Sequence, residues 1–487
     1  MRKLLMNRTK YLLQNTVLFG LGSIGTKLIS VFMVPLYTYA LSKSQYGTTD
    51  LIFTISMVMT PFVCMNIHEA IMRYCLDKHA DRNKIISTGM AIFLIGSIIS
   101  IVIIPICYLI PSLYDYSVYL YLLVVGATAV NVGQAFLKGI EKLKIYTAST
   151  ILNTALTATL NIIFLVVLKW GITGYFLAFI ISYFATALFC FCGGKIFYYL
   201  KGFSFHWREA RGMMRYSLAL VPNSLLWWVT NSSGRIIITV FLGTGANGLY
   251  AIANKIPTLL NTFVTIFQQA WQFSAIKSED EEDKVAYNNK MFRVYYKLIL
   301  LASSFLILVL KPIMMIYVSS EFFESWMYSP ALILAFTFGA FSTFIGTYYT
   351  VAKNNVGMML SAFCGAVVNI IFTAILVPAI GIQGASLASC ASYFSIFLYR
   401  SFGTKKYMPL RVFTKQFIIG NLILVGECCF IYLPSLSGYI INAAMFILML
   451  IICRESIFLI KDLMMKIVGR SAKKIQLFIR KDQADNE

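Results

Sequence analysis

The sequence predicts an all-α polytopic membrane protein: about fourteen transmembrane helices, built as two six-helix repeats of the same orientation plus two C-terminal helices. Three observations predict it. The 487 residues are 59% hydrophobic and only 13% charged, too apolar for a soluble domain. The 41 Lys and Arg crowd into alternate loops. And one stretch occurs twice: NIIF at Asn161–Phe164, GITG at Gly171–Gly174 and SYF at Ser182–Phe184 return as Asn369–Phe372, Gly381–Gly384 (GIQG) and Ser392–Phe394. The shift is 208 positions for the first pair and 210 for the others, the two extra residues falling around Pro378. Repeats of this kind mark transporters more often than enzymes.

Apolar segments near the ~20 residues that cross a bilayer run over 14–41, 47–68, 85–110, 117–137, 145–168, 172–194, 216–242, 247–276, 298–318, 328–352, 356–378, 382–399, 416–433 and 437–453. With a cytoplasmic N-terminus, 35 basic residues fall on the cytoplasmic side. Three (Lys43, Lys169, Lys311) fall in outer loops and three (Lys27, Arg235, Lys255) inside spans. That asymmetry predicts both termini in the cytoplasm and explains the formal net charge of +21 without nucleic acid. Helices 5 and 6 match helices 11 and 12, so the repeat unit is six helices, an even number, and both copies face the same way. A fainter match sets Tyr46-Gly47 opposite Asn247-Gly248. The expected divisions are an N-terminal lobe (1–200), a cytoplasmic interfacial connector (201–215), a C-terminal lobe (216–404), accessory helices 13 and 14 (405–460) and a basic tail (461–487).

In the first segment, Gly20-x-Gly22-x-x-Gly25 spells a dinucleotide fingerprint. It lacks the strand and soluble helix that the fingerprint needs, and small residues there serve close helix packing. The segment is too long for a signal peptide and carries Lys27 in its middle. Connector residues Phe203, Phe205, Trp207, Arg208 and Arg211 suit a helix lying on headgroups. The acidic run Ser278–Asp283 reads as a solvated loop, and the tail from Lys461 as a basic surface on anionic lipid. The ten cysteines sit mostly in apolar runs, and Cys190-x-Cys192 has no second pair, so neither a metal nor a disulfide framework is expected. His68, His79 and His206 are the only histidines and form no triad pattern. No cofactor and no enzymatic activity are expected.

The buried cations carry the functional reading. A Lys or Arg at mid-span costs about 2.5–3.5 kcal/mol on insertion scales and usually faces a cavity or a partner. Lys27 is the deepest. Arg235 lies 7 residues before the end of helix 7, and Lys255 lies 8 residues after the start of helix 8. At ~1.5 Å per residue they share a depth. No acid in helices 1, 7 or 8 neutralises them, and Asp50 in helix 2 is the nearest candidate. An unpaired cationic cavity suits a phosphate or pyrophosphate. Asn231, Asn254 and Asn261 are candidate sugar contacts. Asp50 and Glu427, the only acid deep in a span, are candidates for Na+ or H+ coupling.

The chain resembles a known family at Gln14-Asn15-Thr16, Pro35-Leu36-Tyr37, Tyr46-Gly47, the helix 4 exit Lys138-Gly139-Ile140-Glu141-Lys142, and the two Gly-x-x-Gly turns. It is similar to the Wzx-type oligosaccharide flippases of the multidrug/oligosaccharidyl-lipid/polysaccharide exporter superfamily, over nearly the whole chain. The lipid II flippases share the fourteen-helix architecture. The resemblance implies two six-helix lobes in a V around a cationic cavity. It implies movement of undecaprenyl-pyrophosphate-linked glycan to the outer leaflet by alternating access, for capsule, O-antigen or another surface polysaccharide. The family's basic cavity residues correspond in kind to Lys27, Arg235 and Lys255. It places the chain in the bacterial cytoplasmic (inner) membrane, with a polysaccharide polymerase as a possible protein partner. One departure stands out: the lipid II flippases place a sodium-site acid in the second lobe, and helices 7, 11 and 12 here contain none. The alternatives weighed are a multidrug cation antiporter of the same superfamily and, from another class, a membrane polysaccharide polymerase or ligase.

Overall fold

The computed structural model describes residues 29–77, 81–108, 113–201, 205–277, 283–352, 354–433, 436–456 and 458. All regular structure among them is helical. In chain order the helices are α1 (Ile29–Ala40), α2 (Lys43–Cys64), α3 (Ile67–Cys75), α4 (Arg82–Ile99), α5 (Ile103–Cys107), α6 (Ser117–Gly139), α7 (Leu143–Asn161), α8 (Gly171–Gly194), α9 (Ile196–Tyr199), α10 (Trp207–Leu218), α11 (Val221–Leu242), α12 (Thr244–Ala253), α13 (Lys255–Lys277), α14 (Lys284–Tyr317), α15 (Ser329–Val351), α16 (Asn355–Ile380), α17 (Ile382–Gly403), α18 (Lys415–Phe430) and α19 (Leu436–Ser456). Among the described residues, nine helical stretches are long and apolar enough to cross a membrane. Of the fourteen segments marked in the sequence, the first is described only from Ile29 and the thirteenth is a 16-residue helix. Lys27, the Gln14–Thr16 start, the Gly20–Gly25 pattern and the basic tail lie outside the described residues, as does all of the acidic run except Asp283.

The two copies of the repeated stretch use their glycines alike. Gly171 and Gly381 open α8 and α17 at φ +56° and +66°, a region that side chains with a Cβ avoid. The second glycine of each turn lets the new helix press on the old one. A Cβ on Gly174 would stand 2.9 Å from the Phe164 Cβ, and one on Gly384 would stand 2.4 Å from the Leu376 carbonyl. The serines of the two SYF copies are both fully buried. Ser182 donates back to Ala178 O (2.6 Å), whereas Ser392 donates across to Gly365 O (2.7 Å) on α16.

The boundaries differ from the sequence expectation at three informative places. The second segment ends early, at Cys64, because Met65 and Asn66 take left-handed backbone (φ 49° and 54°), and a separate helix, α3, starts at Ile67. The eighth breaks at Asn254, between α12 and α13. The ninth begins at Lys284 rather than near residue 298, so Lys297, expected in a cytoplasmic loop, is fully buried and paired with Glu455 of α19 (3.3 Å). The connector docks one face on the N-terminal helices: Ala210 and Met213 of α10 join a cluster with Ile71 of α3 and Ile86 of α4. Trp207 stays 68% exposed, the placement an interfacial helix needs.

Two-fold likeness shows best where the repeats meet. α2 of the first and α12 of the second cross so closely that a Cβ on Gly47 would lie 1.7 Å from Thr244 O, and one on Gly248 would lie 2.2 Å from Lys43 O. Ser44 and Thr244 bond through their hydroxyls at 2.8 Å. A 3-10 segment, Ser320–Tyr328, closes over the same end: Lys43 N donates to Glu321 (3.1 Å), and the Tyr46 ring meets Phe322 edge-on at 5.8 Å. Below the crossing, α2 runs along α11. Trp228 Nε1 donates to Thr54 O (2.8 Å), and Asn66 donates to Ser224 Oγ (3.3 Å).

Candidate functional site

The seam between α2 and α11–α13 brings together Asp50, Arg235 and Lys255. Arg235, on α11, donates through Nη1 to Asp50 Oδ1 (2.9 Å) and to Thr54 Oγ1 (3.3 Å), both on α2. Asp50 is 11% and Arg235 25% exposed at the side chain. The other Asp50 oxygen accepts from Asn247 Nδ2 at 3.3 Å, and the same amide donates to Gly47 O at 2.9 Å. Asp50 thus holds the second repeat twice, by a cation and by an amide. The sequence offers Asp50 as the nearest candidate carboxylate but reads the cations as unpaired, and this ion pair corrects that expectation for Arg235. The missing signal is spatial: 185 positions separate the partners, and no periodicity spans a helix crossing.

Lys255, at the start of α13, feels both charges. It is partly exposed and has no ion pair among the described residues. Two cations against one carboxylate leave the cluster net positive. The Nε of Arg235 is buried without an acceptor among the described residues, so the guanidinium keeps a donor beyond what Asp50 and Thr54 use. A buried donor without a partner costs about 1–3 kcal/mol, and an arriving anion would remove that cost.

The predicted amides divide. Asn231 and Asn261 line a cavity of about 480 Å³ within the second repeat, together with Gln268, Gln272, Tyr393 and Arg400. Tyr393 donates to Asn231 Oδ1 at 2.6 Å. Asn254 instead donates to Tyr250 O of its own chain turn (2.8 Å) and is not among the cavity's lining residues. Glu427 lies apart from the seam, 1% exposed between α18 and α14, where Ser304 donates to Oε1 at 2.5 Å. Its Oε2 has no donor among the described residues. Asp50 is engaged twice over by the second repeat, and Glu427 is buried between α18 and α14. Among the described residues no group of three His, Cys, Asp or Glu comes together as a metal site would require.

Arg400 follows the apolar run 382–399, so the sequence assigns it to the cytoplasmic loop. The helix continues through it to Gly403, and it is 3% exposed.

The matching family model, described as "Polysaccharide biosynthesis protein", covers residues 12–272. No curated protein matches this chain. Among solved structures, the chain is similar to an inward-facing multidrug resistance MATE family transporter of the MOP superfamily (TM-score 0.65, 14% identity, 82% of this chain and 95% of that one). It is similar to the lipid II flippase MurJ in an inward closed conformation (TM-score 0.65, 16% identity, 92% of this chain and 100% of that one). A MOP superfamily transporter from Pyrococcus furiosus, reported for the reversed polarity of its binding pocket, matches with TM-score 0.57 at 15% identity, over 85% of this chain and 95% of that one. At these identities the structural matches establish the fold: a multi-pass membrane bundle of the MATE and MurJ type. The family match spans more than half of the sequence, from the first predicted span through α13, and the chain therefore belongs to the polysaccharide biosynthesis protein family.

Proposed function

We propose that the chain is a flippase of the Wzx type, carrying undecaprenyl-pyrophosphate-linked oligosaccharide from the cytoplasmic to the outer leaflet by alternating access, without catalysing a reaction. The observation that carries this reading is the net-positive seam: Arg235 pairs with Asp50 at the contact between the two repeats, Lys255 lies within electrostatic range of both, and among the described residues no second carboxylate joins them. A pyrophosphate arriving there meets the spare Arg235 donor and the Lys255 ammonium, and charge-assisted bonds of this type are about twice as strong as neutral ones. Lys27 is proposed as a third contact, and Asn231 and Asn261 as contacts to sugar hydroxyls. On the topology read from the loops, the crossing of Gly47 with Gly248 lies on the outer side, in a bacterial cytoplasmic membrane. The lobes are proposed to divide at the connector, residues 201–215.

Family membership supports a polysaccharide pathway, and the net charge of the seam disfavours the cationic-drug antiporter. The test is translocation of a fluorescent undecaprenyl-pyrophosphate glycan in proteoliposomes. Arg235→Ala together with Lys255→Ala, made in an Asp50→Asn background so that no buried carboxylate is stranded, should abolish it while protein levels and folding persist. Translocation at the wild-type rate by that variant would overturn the assignment.

A further inference from the structure

The cavity in the second repeat contains a charge that the pyrophosphate seat does not use. Arg400, near the end of α17, is 3% exposed and lines the cavity. Its Nε donates to Ser361 Oγ (2.9 Å) on α16, and its Nη1 donates to Ser342 O (2.9 Å) on α15. Among the described residues no carboxylate pairs with it. The fold makes room for it: a Cβ on Gly346 of α15 would stand 2.4 Å from Nη1. Burying a cation without a counterion costs several kcal/mol, and here helices of one repeat hold it in place by hydrogen bonds to both neighbours. The rest of the lining is neutral and rich in amides. Gln268 spends its nitrogen on Thr347 Oγ1 (2.7 Å), and its Oε1 is buried with no donor among the described residues. A sugar hydroxyl would supply that donor.

We propose that this cavity seats a sugar of the translocated glycan that bears a carboxylate, with Arg400 as the residue that selects the acid over its neutral counterpart. Charge matching favours a carboxylate over phosphate. One guanidinium with two nitrogens already engaged matches a single negative charge, whereas a pyrophosphate carries more and finds two cations at Arg235 and Lys255. Placement agrees. Asn231, at one end of the lining, is one helical turn from Arg235, and Gln272 lies roughly 25 Å from Lys255 along α13 at ~1.5 Å per residue. A glycan held by its pyrophosphate at the seam would run along α13 into this cavity.

The proposal deepens the flippase reading and rests on it for the identity of the cargo, but its binding test needs no lipid carrier. Purified full-length protein in detergent is titrated with a soluble disaccharide containing a hexuronate and with the matching neutral disaccharide. The acid should bind about tenfold tighter, the worth of one charge-assisted contact. Arg400→Gln should erase that preference, so that the acid and the neutral sugar bind alike. Gly346→Ala, which keeps the charge but displaces the guanidinium, should reduce it. Inorganic pyrophosphate should not displace the acid sugar. Equal binding of the two sugars by the wild type, or a preference that survives Arg400→Gln, would overturn the proposal. So would displacement by pyrophosphate that depends on Arg400, which would make the cavity a phosphate seat. Loss of carrier translocation in the Arg235/Lys255 variant bears on the flippase reading alone, and loss of sugar discrimination bears on this one alone.

Discussion

Gly47 of α2 and Gly248 of α12 hold corresponding places in the two repeats and lie against each other's backbone. Neither position has space for a methyl group: the added carbon would stand 1.7 Å from Thr244 O in one case and 2.2 Å from Lys43 O in the other. The correspondence visible in the sequence is thus a physical contact, made across the line relating the halves. Small residues at such crossings let backbones approach, and here the approach brings Asn247 within reach of both Gly47 O and Asp50.

The first prediction concerns this seam. If alternating access requires α2 and α12 to part, a Ser44→Cys, Thr244→Cys pair should form a disulfide, since the native oxygens are 2.8 Å apart. Oxidation should stop translocation and reductant should restore it. Gly47→Ala should destabilise the closed seam by about 1–3 kcal/mol through overpacking, seen as faster labelling of single cysteines along α2. Full transport by the oxidised pair would show that the seam stays shut during transport.

A second prediction separates the structural and transport parts of Arg235. Removing one partner of a buried pair strands the other charge and costs about 3–5 kcal/mol, while replacing both is far milder. Asp50→Ala or Arg235→Ala alone should lower the melting temperature in detergent strongly. Asp50→Asn with Arg235→Gln should regain most of it, yet fail to translocate. A double variant that transports normally would remove Arg235 from the site.

Glu427 supplies the third. Among the described residues Ser304 donates to it, and a glutamine oxygen accepts equally well. Glu427→Gln keeps that bond but sets an amide nitrogen where Oε2 has no partner among the described residues, so it should cost about 1–3 kcal/mol and leave the pH profile of transport as it was. A flattened profile in that variant would make the carboxyl a proton carrier.

The fourth lies outside the membrane. Asp81 caps α4 by accepting from the Lys84 amide at 3.3 Å, with the Lys84 ammonium 3.4 Å away. The amide's hydrogen bond, more than the ammonium, holds its carboxyl below the usual range. With the folded value depressed, the cap's contribution is present at neutral pH and is lost as pH falls through that value. Asp81→Ala should cost about 1 kcal/mol at pH 7, a difference that shrinks below about pH 4 in thermal melts.

The sequence by itself determined the class and the duplication. Apolar length and loop charge are local properties, set by the cost of moving each segment from water to lipid, so they can be read residue by residue. The glycines at 171, 174, 381 and 384 were legible for a similar reason: a turn between two packed helices admits few alternatives. The candidate cations Arg235 and Lys255 were legible as charges inside apolar runs.

Tertiary structure alone decided which charges meet. It paired Arg235 with Asp50 across 185 positions, left Lys255 beside them, moved Lys297 and Arg400 from expected loops into the interior, and set Glu427 against Ser304, away from the seam. Helix rotation and crossing decide such contacts, and they arise from the packing of all neighbours at once. A one-residue change of phase turns a side chain by about 100° around its helix. Apolar periodicity is weak when both lipid and core are apolar, so the sequence reports the depth of a residue better than the direction in which it points.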